Sequence, residues 1–86
     1  MSYDDIIYAI DRKISGSSYS SWTIGVTDDP YKRRDEHEND GEDVTHWTHY
    51  PTDNEDVGRN VEKHYINLGM KGGTGGGGNA GYVYVF

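Results

Sequence analysis

The sequence predicts an α+β fold, a small three-stranded sheet flanked by three helices in the order α-β-α-β-α-β. Segments with apolar residues at helical spacing take turns along the chain with segments of period-two alternation, and Gly, Pro, Ser, Asp or Asn marks most boundaries. The length of 86 residues fits one domain, 1–86, with a limited core, so the eight tyrosines must supply much of the buried area.

From Ser2 to Ile14 the pattern is that of an amphipathic helix. Ser2 caps it, Asp5 follows at capping-box spacing, and Tyr3, Ile6, Ile7, Ile10 and Ile14 form one core-facing stripe. Ser15, Gly16, Ser17 and Ser18 end the helix and lead into a strand in which Trp22, Ile24 and Val26 alternate with Thr23, Gly25 and Thr27. Asp29 before Pro30 starts a second helix, because the carboxylate accepts bonds from free N–H groups and proline is pre-set for the first helical position. On that helix Arg33 and His37 are four residues apart and share a face, while Lys32 and Arg34 point elsewhere.

Glu38 to Asp43, ENDGED, reads as an exposed and solvated loop. Val44 to Tyr50 alternates as a second strand, which Pro51 is expected to end. Thr52 with Glu55 makes a capping box, and Val57, Val61, Tyr65 and Leu68 recur at helical spacing as far as Gly69. Glu62 sits at the border of that stripe, either facing a cleft or paired with Arg59 at the surface. The glycine-rich stretch from Gly69 to Gly81 is expected to be a flexible connector. A phosphate cradle needs its glycine loop to run into a helix N-terminus, and this one leaves a helix and enters a strand, Tyr82 to Phe86.

Composition narrows the function classes. The chain has no cysteine, which excludes disulfides and thiolate metal sites, and it has no apolar run long enough to span a bilayer. A soluble, cytoplasmic monomer that does not engage a membrane is the expectation. Fifteen acids against eight bases give a formal charge of −7, which argues against general nucleic-acid binding and leaves room only for a local basic patch. The same excess would suit a basic protein partner, or simply a solvated surface. His46 and His49, three apart on a strand, face opposite sides and read as surface or packing histidines rather than a metal pair.

Thr23-Ile24-Gly25, Thr27, Asp29-Pro30, Arg33 and His37 resemble the second half of the GIY-YIG nuclease pattern: a Tyr-Ile-Gly strand, a threonine two residues on, then an arginine and a histidine on the next helix. The resemblance continues through an aromatic strand around Trp47 to a helix carrying Glu62, covering Trp22 to Gly72. It implies a divalent-metal-dependent endonuclease acting on DNA or another nucleic acid. Arg33 would contact the scissile phosphate, Glu62 would hold Mg²⁺ or Mn²⁺, His37 would join the polar network, and a tyrosine would position or deprotonate the attacking water. Thr23 stands where the motif has its tyrosine, and a helix occupies the place of the Gly-Ile-Tyr strand. Gly81-Tyr82-Val83-Tyr84 is the expected substitute, a permuted arrangement in which this strand pairs with that of Ile24 and Tyr84, or Tyr82, supplies the phenol. The alternative is a domain that keeps the fold without catalysis, a small acidic binding or regulatory module.

Overall fold

The computed structural model describes residues 1–72 and 80–86. Along them run α1 (Tyr3–Ile14), a short 3-10 turn (Tyr19–Ser21), β1 (Thr23–Thr27), α2 (Pro30–Asn39), β2 (Thr48–Pro51), α3 (Glu55–Leu68), β3 (Lys71–Gly72) and β4 (Tyr82–Val85). The strands form one mixed sheet in the order β2-β4-β1-β3, with β4 antiparallel to both β1 and β2, and β3 parallel to β1.

Residue alternation on β4 divides the sheet into two working faces. Val83 and Val85, with Ile24 and Val26 of β1, meet Ile6, Ile10 and Ile14 of α1 and Val61 and Tyr65 of α3 in the buried core. Burying each such aliphatic side chain contributes about 1.5–3 kcal/mol, before the entropy of ordering is subtracted. The Tyr65 hydroxyl donates to Asp11 Oδ1 at 2.7 Å, with the Ile7 carbonyl also in reach at 3.1 Å, tying α3 to α1. Tyr84 lies on the opposite face, beneath α2.

The helix starts follow local chemistry. Ser2 accepts from Asp5 N at 3.2 Å and Asp29 accepts from Lys32 N at 3.1 Å, as their sequence positions predict. At α3 the cap is Asn54, which accepts from Val57 N at 3.0 Å; the expected cap, Thr52, instead donates its hydroxyl to the Ala80 carbonyl at 3.0 Å.

The second strand is shorter and later than the expected Val44 to Tyr50. Asp43 Oδ1 takes the Thr45 N–H at 2.9 Å, and Trp47 N bonds the Val44 carbonyl at 3.1 Å, so this part of the chain turns before it can extend. Pro51 belongs to β2 rather than ending it. On an edge strand its missing N–H need not join a ladder.

The sheet has a fourth strand that residue alternation did not reveal. Lys71 and Gly72 pair with Thr23 and Ile24, and Lys71 N donates to the Trp22 carbonyl at 3.0 Å. Of the expected flexible connector, 73–79 lies outside the described residues. At its ends Gly69 closes α3 at φ +116°, and Met70 and Ala80 are buried.

Candidate active site

The β1–β4 register sets Gly25 opposite Tyr84. A Cβ on Gly25 would come within 2.3 Å of Tyr84 Cζ and Oη, so the glycine is what lets the phenol ring cross the strand toward α2. Trp47 stacks on that ring at 4.5 Å between centroids and 10° between planes, and it also stacks on Phe86 at 5.3 Å and 23°. Tyr84 is 1% exposed.

Helix α2 brings two basic groups to this phenol. With its start fixed by Asp29 and Pro30, the four-residue spacing turns both Arg33 and His37 toward the sheet while Lys32 and Arg34 remain exposed. His37 is 5% exposed, its Nε2 is 2.9 Å from Tyr84 Oη, and its ring centroid is 4.8 Å from that of Phe86. The Arg33 side chain, 12% exposed, donates from one terminal nitrogen to Glu36 Oε2 at 3.1 Å, while its buried Nε has no hydrogen-bond partner among the described residues.

A third group comes from the acidic segment that reads in sequence as mere solvation. Asp40 ends α2, and Gly41 follows at φ +87°. Gly41 N donates to the Glu38 carbonyl at 3.0 Å and Glu42 N to the His37 carbonyl at 3.1 Å, the paired bonds of a Schellman motif. That motif folds the second residue past the cap back onto the helix, here bringing the Glu42 carboxylate to His37 Nδ1. Clefts of about 270 Å³, bordered by Thr23, His37, Glu42 and Lys71, and about 540 Å³, bordered by Trp22, Glu42, His46 and Phe86, open beside this pair.

The electrostatics centre on Tyr84. Burial pushes its phenol above the ordinary value, the Arg33 guanidinium pulls it down, and the carboxylates of Glu62 and Glu42 add to the rise. Burial works to lower the pKa of Arg33, but Tyr84 and Glu36 outweigh it and leave the guanidinium above its ordinary value. Glu62, half-buried on α3 between the core residues Val61 and Tyr65, has its carboxyl raised by burial, with the charge of Arg59 opposing the rise. Arg59 itself bonds Glu55 Oε1 at 2.8 and 3.1 Å. Of the four site residues read from sequence, His37 touches Tyr84 directly, and Arg33 and Glu62 both act on its phenol.

Among the described residues no group of three or more His, Cys, Asp or Glu side chains comes together to hold a metal ion. His46 stands beside the Trp22 ring, and His49 accepts from Trp47 Nε1 at 3.1 Å and packs edge-on against Tyr31 and Tyr82. No helix among the described residues is long and apolar enough to cross a membrane. Sequence reasoning passed over Glu42; the signal for it is Gly41, the residue type a Schellman ending calls for. Comparison with protein-family models, with curated proteins and with solved structures finds no match for this chain.

Proposed function

We propose that the chain is a divergent GIY-YIG-like domain that hydrolyses nucleic-acid phosphodiesters with the help of a divalent metal ion. The observation that carries this reading is the Tyr84 hydroxyl, 2.9 Å from His37 Nε2 and under the influence of both Arg33 and Glu62. A phenol, an imidazole, a guanidinium and a carboxylate drawn from β4, α2 and α3 are the groups that phosphoryl transfer to water calls for.

In this reading Arg33 binds the scissile phosphate, for which a planar guanidinium offers forked donors. Its Nε, which has no hydrogen-bond partner among the described residues, supports that role. The Tyr84 hydroxyl orients the attacking water and takes its proton, with His37 as the base behind it. Glu62 is the residue that would hold Mg²⁺ or Mn²⁺; one carboxylate suffices, since magnesium commonly completes its shell with water and substrate phosphate. Burial disfavours the Glu62 anion, so a cation beside it would be a favourable partner. Such an ion, when bound, polarises the phosphoryl oxygen and stabilises the leaving oxygen.

The test is incubation with plasmid, branched DNA and RNA in Mg²⁺ or Mn²⁺, alongside Arg33→Ala, Glu62→Ala and Tyr84→Phe. Metal-dependent cleavage lost in all three variants supports the nuclease. Absence of cleavage with every substrate removes it.

One observation favours a second reading, a non-catalytic binding or regulatory module whose partner is a basic protein. Trp47 covers the Tyr84 ring, leaving the residue 1% exposed. A chain that cleaves nothing yet binds a polycation in a salt-dependent manner would select this reading, in line with its charge of −7.

A further inference from the structure

We infer that Glu42 is a positioning residue for the proposed reaction, holding His37 in the tautomer that accepts the Tyr84 proton; this rests on the phosphodiesterase reading. A carboxylate can only accept, so the ring nitrogen that faces Glu42, Nδ1, carries the hydrogen. In the neutral ring the other nitrogen, Nε2, then has a free lone pair, and the Tyr84 hydroxyl 2.9 Å away is the donor. Glu42, His37 and Tyr84 thus form one directed chain from a surface carboxylate to a buried phenol.

The chain has a definite proton balance. When the Tyr84 O–H bond breaks, its electron pair stays on oxygen and its proton forms an N–H bond at His37 Nε2. The resulting imidazolium is balanced by the Glu42 carboxylate, and the phenolate is left under the influence of the Arg33 guanidinium. The phenolate then takes a proton from the attacking water. Glu42 never meets the phosphate in this scheme. Its work is to exclude the opposite tautomer, in which Nε2–H would point at Tyr84 and leave the phenol without a base.

The arrangement is built in rather than incidental. The Schellman bonds from Gly41 and Glu42 to α2 fix the Glu42 backbone over His37 independently of its side chain. The Glu42 side chain is 44% exposed, so its replacement removes the carboxylate without opening the core.

The experiment uses the full chain labelled with ¹⁵N-histidine. Long-range ¹H–¹⁵N correlation in mildly alkaline solution reads the His37 tautomer in the parent, Glu42→Gln and Glu42→Ala chains, and plasmid nicking with Mg²⁺ or Mn²⁺ is measured on the same samples. The parent and Glu42→Gln should hold Nδ1–H, since the amide oxygen of glutamine still accepts. Glu42→Ala should shift to Nε2–H and lose about 10–100-fold in kcat with little change in KM. Nε2–H in the parent overturns the inference, as does an alanine variant that keeps either Nδ1–H or parental nicking. A parent chain that shows the tautomer pattern but nicks nothing overturns the nuclease reading and with it the catalytic role of Glu42, while the tautomer lock stands as a separate result.

Discussion

Tyr84 and Gly25 face each other across the β1–β4 pair, and the phenol occupies the space where a side chain on Gly25 would begin, 2.3 Å from the position of its Cβ. The small residue on β1 and the large one on β4 are therefore one feature. Gly25→Ala should destabilise the fold by about 1–3 kcal/mol, the range for overpacking a filled interior. Urea unfolding would measure it. Pairing it with Tyr84→Ala should return part of that loss, because the alanine variant vacates the same space; purely additive losses would refute the coupling.

Arg33 offers a sharper test of phosphate binding than of stability. Arg33→Ala and Arg33→Lys should both reduce cleavage by about 10²–10³-fold, since lysine keeps the charge but lacks the forked donors. Far-UV circular dichroism should stay unchanged, because the side chain pairs with exposed Glu36 on its own helix and is not part of the apolar core. A lysine variant with parental activity would reduce the role of Arg33 to charge alone.

Tyr65 gives the fold an alkaline limit. Its phenol lies well above the ordinary value of 10.0, chiefly through burial and then through its hydrogen bond to Asp11. Below pH 10 the phenol is neutral in folded and unfolded chains alike, and its contribution to stability is fully present. Above that, the unfolded chain releases the proton that the folded chain retains, so stability falls as pH rises toward the folded value. Tyr65→Phe should cost about 1–2 kcal/mol at neutral pH through the lost hydroxyl bonds. It should also lose stability less steeply than the parent above pH 10, as read by denaturant unfolding along a pH series.

Local signals made much of this fold legible. Ser2 and Asp29 cap helices because they are the first side chains able to meet free N–H groups, and the Ile6–Ile10–Ile14 stripe is buried as its spacing requires. The signals failed where one local option displaced another. Asp43 captured the Thr45 N–H and turned a stretch whose alternation reads as strand, and Thr52 preferred the distant Ala80 carbonyl to capping α3. The strand of Lys71 and Gly72 has no pattern of its own to read, because it exists by pairing with β1. In the candidate site, the helical spacing of Arg33 and His37 was visible. The partner of His37 was not, because Glu42 reaches it through a backbone motif rather than a side-chain period.

That motif can be tested at Gly41, whose φ of +87° lies in the left-handed region and whose Cβ position is open space. A substitution there meets no neighbour among the described residues, so the loss reports backbone strain. Gly41→Ala should destabilise by about 1–2 kcal/mol, the cost of left-handed backbone for an ordinary L-residue. Gly41→Asn should cost less, since asparagine tolerates that conformation. Because the Schellman bonds carry Glu42 to His37, the alanine variant should also weaken their contact, seen as exchange broadening or a shift of the His37 ring nitrogens. Equal stability of the alanine and asparagine variants would show that the left-handed turn at Gly41 is dispensable.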